Sequence, residues 1–279
     1  MKKSLLLLAV AVSPALCAQS AAEWIAKGDE QYAARAEGAR GDVALAAPAE
    51  QAVDAYRSAI AADGSSLEAR WKFLRGLYFL SIYTGKTEAQ QKQLLGDGRA
   101  VGDNGIAALE APLKGKPAAD RLAALRKTPG AAELYYWSAV VWGEWALVFG
   151  KMAATRQGAA GKIRDMSQTV IDLDPTLEQG GGWRVLGRLH HQSPKVPFFT
   201  GWVDHAGSVG MLRKALAAGP DSLSNQFFVA EAILDYASES KGEAAELLRK
   251  CAQAAPRANW LVEDARYGKL CRDRRAGLK

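Results

Sequence analysis

The residues of this chain that could do chemistry are a serine between glycines, three histidines, an arginine beside a glycine triplet and a pair of cysteines. The run AGSVG, Ala206 to Gly210, is similar to a nucleophile elbow, with Ser208 as the attacking hydroxyl and Gly180 to Gly182 as a source of oxyanion-binding amides. An elbow needs a strand feeding a helix through a sharp turn. Nothing strand-like precedes Ser208, so a serine capping or opening a helix is the simpler expectation. His190, His191 and His205 could supply metal ligands. Adjacent helical residues diverge, so His190 and His191 cannot easily share an ion. A His190–His205 pair would need a carboxylate such as Asp204 to complete a site. Packed, hydrogen-bonding histidines are expected instead, and no metal or cofactor site is assigned. The run GDGRAVGDNG has calcium-loop residue types but lacks the acidic alternation and closing glutamate of an EF-hand. It reads as a glycine-rich helix start or turn.

Arg184 follows Gly180-Gly181-Gly182 by less than a turn. A guanidinium there could clamp a ligand carboxylate, or pair internally with Asp174 or Glu178. Cys251 and Cys271 could bridge in an oxidising compartment, or Cys251 could be a small buried residue on a helix face.

The elements that must hold these residues read as helices. Ala21 to Arg35 carries Trp24, Ile25 and Tyr32 on an alanine-rich background. In Ala49 to Gly64, Ala52, Tyr56 and Ala59 recur at i, i+4 and i+7, one helical face. Small residues there let two helices approach while the aromatic fills the gap between units, the pattern of a tetratricopeptide-type hairpin. A second hairpin starts at Leu67 and continues over Gln90 to Leu113. Gly115 to Gly130 reads as a linker with a short helix around Asp120 to Leu125. Ala131 to Phe149 contains Tyr135, Tyr136, Trp137, Trp142, Trp145 and Phe149, apolar nearly all round. Such a helix is buried between neighbours or lines a cavity. Gly158 and Gly161 lead into a helix stopped by Pro175. The Gly180 unit follows, with Trp183, Leu186 and His190 on one face and Gly187 allowing close approach. Its partner helix runs through Leu212, Ala215 and Leu216 to Gly219-Pro220. The last unit spans Phe227 to Tyr236 and Ala244 to Pro256. The expected fold is all-α, roughly five helical hairpins stacked as one repeat domain over residues 19–279.

Length and composition agree: 279 residues, 49% apolar and 24% charged, are enough for a large buried core. Lys2 and Lys3, the apolar run Leu5 to Val12 and the small residues Ala15 to Ala18 form an export signal over residues 1–18, cleaved near Ala18. The order Pro14, Ala15, Leu16 before Cys17 is nearly the reverse of a lipid-modification site, so a cleaved periplasmic protein is expected and not a lipid-anchored one. Losing Lys2 and Lys3 lowers a formal charge of only +6, too mild a balance to argue for nucleic acid.

Two segments together resemble the TatT family, the periplasmic helical-repeat component found with some TRAP-type (tripartite, ATP-independent) transporters. The first is YWSAVVWGEWA, with Tyr136, Trp137, Ala139, Gly143 and Trp145. The second is GGWRVLGRLHHQSP, with Gly181, Gly182, Arg184, Leu186, Gly187 and Pro194. The family's loop glycines before an acid are partly kept as Gly201, Trp202, Val203 and Asp204. Val141 stands where a polar residue, often Asn, is expected. The resemblance covers residues 131–236 well and the N-terminal third loosely. It implies a non-enzymatic protein that docks a periplasmic solute-binding protein, assembles as an oligomer, and has a pore or cavity through each subunit that could hold a small molecule. The candidate ligand- or partner-contacting residues are Tyr136, Trp137, Trp142, Trp145, Trp183, Arg184, His190 and Trp202. A general repeat scaffold for an envelope assembly, and a hydrolase using Ser208, are the alternatives.

Overall fold

The computed structural model describes residues 19–278, so the expected export signal, and Cys17 within it, lie outside the described residues. Within them the chain forms thirteen α-helices and no strand, an all-α array of helical hairpins. The first hairpin pairs α1 (Ala21–Ala33) with α2 (Ala46–Ala62), and the second pairs α3 (Leu67–Tyr83) with α4 (Glu88–Glu110). The short α5 (Ala118–Arg126) leads into α6 (Ala131–Phe149), which pairs with α8 (Ala159–Leu173) after a one-turn detour, α7 (Lys151–Arg156). Then come α9 (Leu177–Gln192) with α10 (His205–Ala218) and α11 (Leu223–Tyr236) with α12 (Lys241–Gln253). A final helix, α13 (Leu261–Ala276), packs on α12 and α11. No helix among the described residues is long and apolar enough to cross a membrane.

Local chemistry sets the helix starts. Ser20 with Glu23, and Thr87 with Gln90, form reciprocal capping boxes at α1 and α4. Asp204 and Ser222 cap α10 and α11 by accepting from the amides of Gly207 and Asn225. The small-aromatic-small face of α2 is buried as expected: Ala52, Tyr56 and Ala59 are closed to solvent. The Tyr56 ring lies so close to Gly28 of α1 that any side chain there would overlap it.

Two local expectations are corrected. The glycine-rich run around Gly98 is the middle of α4, not a turn or helix start. Gly98, Gly102 and Gly105 form one helical face, and a Cβ at Gly102 would sit 2.6 Å from Ser138 Oγ of α6. The glycines let α3, α4 and α6 close up, a gain that offsets their poor helix propensity. The Gly180 unit does not begin as a plain helix either. Glu178, Gln179 and Gly180 have φ of 50°, 59° and 78°, three successive left-handed residues, before regular helix resumes.

Apolar burial falls into two clusters. One spans α2 to α8 around Tyr56, Phe73, Leu134 and Trp142, and the other spans α10 to α13 around Leu212, Phe227, Ile233 and Leu248. Helix α9 lies between them, and Gly187 admits Leu212 of α10, whose Cγ would be 2.6 Å from a Cβ there. The array then closes on itself. On α13, Glu263 pairs with Arg35 at 3.3 Å, Arg266 donates to the Ile82 carbonyl at 3.3 Å, and Lys269 lies 3.7 Å from Asp42. The last helix thus meets the first two hairpins, and the ring encloses a cavity.

Cys251 and Cys271 are joined, tying α12 to α13 across 20 residues. A loop of that length constrains the unfolded chain by about 3 kcal/mol. Urea titrations with and without reductant should differ by about that amount, and Cys251→Ala/Cys271→Ala should match the reduced protein.

Candidate functional site

The cavity has a volume of about 750 Å³ and is bounded by side chains from both ends of the chain. Helix α6 supplies its longest wall. Trp137, Val140, Glu144 and Leu147 recur every three or four residues along the face turned inward. Helix α9 adds Arg184, Val185, Arg188 and Leu189, α3 adds Arg75, Tyr78 and Phe79, and α13 adds Glu263, Asp264 and Tyr267. The walls are aromatic: Tyr78 and Trp137 pack with ring centres 5.8 Å apart, and Phe228 meets Tyr267 edge to face at 5.3 Å.

Most of the wall's charge is already partnered. Arg257 pairs with Asp264 at 2.7 Å and donates to Gln179 Oε1. Arg188 pairs with Glu231 at 2.8 Å, and its guanidinium lies over Phe228. Arg75 is sandwiched by Tyr32 and Trp71, with its carbon 4.0 Å and 4.9 Å from their ring centres. Arg184 is a hub for neutral acceptors: Tyr136 Oη at 2.6 Å, Asn225 Oδ1 at 3.1 Å and the Glu178 carbonyl at 3.1 Å. The sequence suggested a carboxylate clamp or an internal ion pair; the guanidinium is instead spent on a phenol, an amide and a backbone carbonyl.

The half-buried Glu144 and Glu178 and the exposed Lys151 make no side-chain hydrogen bond or ion pair with any described residue, and the buried Arg75 Nε and Glu263 Oε2 also lack a hydrogen-bond partner. Burial pushes the Glu144 carboxyl up to about 6, against the pull of Arg266 and Arg188. Burial also raises Glu178, opposed mainly by Arg184. An acid raised on folding binds its proton more tightly in the native state, so it withdraws stability as pH climbs from 4.5 through 6. Glu144→Gln is therefore expected to gain about 1–2 kcal/mol over the parent at pH 8. The gain should vanish below the unfolded value of 4.5, which urea midpoints across that range would show.

The eight candidate residues divide. Tyr136, Trp137 and Arg184 line the cavity together. Trp142 and Trp145 face away from it, into a cluster where Arg99 lies 4.7 Å and 4.4 Å from their ring centres and Trp142 donates to Asp103 at 2.7 Å. Trp183 is covered by Lys214 on the outer side of α9. His190 accepts the Asp204 amide at 2.9 Å and packs edge-on to Trp202, so both brace the 193–204 loop. His191 and His205 turn to other partners, Asp235 and the Ser193 carbonyl, each at 2.9 Å. Ser208 is fully buried in the first turn of α10, its hydroxyl donating to the His205 carbonyl.

Exposed apolar side chains lie on the cavity lining, at Leu147, Val196 and Phe199, and close to it in the chain, at Met152 and Phe198. Phe198 is fully exposed, with a φ of 66°. Sequence reasoning missed Glu144, Arg188 and Tyr267, and named Glu178 only as a partner for Arg184. One signal was available for the first: Glu144 is the only charged residue between Glu133 and Lys151. Comparison of the chain with models of known protein families and with curated protein sequences finds no match.

Proposed function

We propose that this chain is an exported, non-enzymatic helical-repeat protein that serves a TRAP-type solute uptake system, as its resemblance to the TatT family implies. It docks a periplasmic solute-binding protein and receives ligand in its central cavity. The observation that carries the reading is where the two resembling segments lie. Tyr136, Trp137 and Gly143 from the first and Arg184 from the second bound one cavity inside a closed ring. Pockets that take small molecules are concave and combine apolar walls with placed polar groups; this one joins aromatic walls to ten charged side chains.

The exposed apolar side chains beside the cavity suit the docking step. Exposed aromatics there are the kind of surface that a partner covers. A solute-binding protein seated there would pass its ligand into the ring without exposing it to bulk water.

The test is capture from periplasmic extract with the chain from residue 19 onward, read by mass spectrometry. A TRAP-type solute-binding protein should be retained, and its retention should weaken for Phe198→Ser/Phe199→Ser. Retention of an envelope assembly without any transport component would replace this reading with the general scaffold.

A further inference from the structure

The loop between α9 and α10 supplies Ser193, Pro194, Val196, Phe199 and Thr200 to the cavity wall. Its two ends are joined by two hydrogen bonds, and a histidine makes each of them. His205, the first residue of α10, meets the Ser193 carbonyl through Nε2 at 2.9 Å. His190, in the last turn of α9, meets the Asp204 amide through Nδ1 at 2.9 Å. The partners fix where the protons are. A carbonyl only accepts, so His205 Nε2 carries a proton and donates it. A backbone amide only donates, so His190 Nδ1 carries none.

The two contacts therefore answer differently to acid. A second proton on His205 goes to Nδ1 and leaves the Nε2 bond in place, with the ring still stacked on Tyr236 at 4.9 Å. A second proton on His190 can go only to Nδ1, where it points at the Asp204 N–H, donor against donor. The Asp204 carboxylate could accept that proton only by leaving the Gly207 amide, which it caps at 3.0 Å. We propose that His190 is an acid-sensitive clasp, whose protonation at Nδ1 breaks the bond to Asp204 and frees the 193–204 loop from the cavity wall.

The surroundings of His190 keep it neutral. Burial holds it below its ordinary value of 6.5, Asp204 favours a charge on it, and Arg164 of α8 and His205 of α10 oppose one. Arg164 itself lies 4.6 Å from the ring centre of Trp202, the residue that packs edge-on to His190. On α11 the acids Glu231 and Asp235 are engaged by Arg188 and His191, and the α6 acids Glu133 and Glu144 make no bond to His190. His191 is the contrast. Its Nδ1 also accepts, from Arg188 at 3.0 Å, but its Nε2 faces the Asp235 carboxylate at 2.9 Å, which compensates a charge on the ring. A histidine held below its ordinary value favours the closed loop above 6.5 and loses that contribution as pH falls.

Amide hydrogen exchange at Asp204 reads the clasp directly, in the chain from residue 19 onward, with each rate referred to the unstructured chain at the same pH. If only the open loop takes the proton, protection falls about tenfold for each pH unit below 6.5, hence about tenfold between pH 7.5 and pH 5.5. The Asn225 amide, capped by Ser222 on α11, should keep its protection. His190→Asn should abolish the fall, because a carboxamide oxygen can accept the Asp204 N–H and does not titrate. His191→Asn should leave it intact. Unchanged protection of Asp204 in the parent would overturn the clasp, as would a fall that persists in His190→Asn. An equal fall at Asn225 would mean that acid loosens the whole array, and would overturn it too. Thermal melts verify that the variants fold, and the two amides of the parent remain decisive if one does not.

Discussion

Gly180→Val is expected to lose at least about 3 kcal/mol of stability, read as a fall in the urea midpoint at unchanged slope. Gly180 has a φ of 78°, a region that a β-branched residue enters only with strain. Space is the larger difficulty. A Cβ there would lie 2.8 Å from the Ala215 Cα and 2.9 Å from the Ala215 carbonyl oxygen. Both are backbone atoms of α10, so no rotamer change relieves the overlap and the two helices must separate. Gly115→Val supplies the control. Gly115 has a similar φ, 81°, but nothing lies within 4 Å of its would-be Cβ. Only the conformational strain remains there, about 1–2 kcal/mol. If the two variants lose the same amount, backbone conformation and not helix contact governs Gly180.

Arg184→Met should cost about 3 kcal/mol, the upper range for a hydrogen bond to a charged group and for a buried acceptor left without its donor. Methionine fills much of the volume but donates nothing. Tyr136 Oη, Asn225 Oδ1 and the Glu178 carbonyl would each lose a donor, with no water-filled surface nearby to replace it for Asn225, which is fully buried. Arg184→Lys should recover only part of the loss, because one ammonium cannot span three acceptors that a planar fork reaches at once. Chemical denaturation of the two variants side by side would measure the difference. If Arg184→Met were as stable as the parent, Arg184 would be there for a ligand and not for the fold.

Much of the architecture was legible because it depends on short-range patterns. Ala52, Tyr56 and Ala59 announce a buried helical face, and Gly187 announces a close crossing. The aromatic run of α6 announces a helix with no wet side. Gly98, Gly102 and Gly105 misled for a physical reason: a glycine read alone is a helix breaker, whereas here each missing side chain makes room for another helix. The left-handed turn at Glu178 and Gln179 could not be anticipated, since neither residue favours that conformation. It is held from afar, by Asn225 donating to the Gln179 carbonyl at 2.9 Å and by Arg257 reaching the Gln179 side chain at 2.7 Å. The cavity depends on contacts of the same distant kind. Glu144 becomes enclosed only because α13 comes back to α1, and the Arg35–Glu263 pair that joins them is separated by 228 residues. No local periodicity encodes that return.

The bridge between Cys251 and Cys271 fastens the very helix that shuts the circle. Its formation needs an oxidising milieu. The finished annulus is therefore a property of the place where the chain matures as well as of its sequence. In a thiol-rich medium the same polypeptide is a spring whose last coil lacks its latch, and the two ends of the array part more readily than in the oxidised protein.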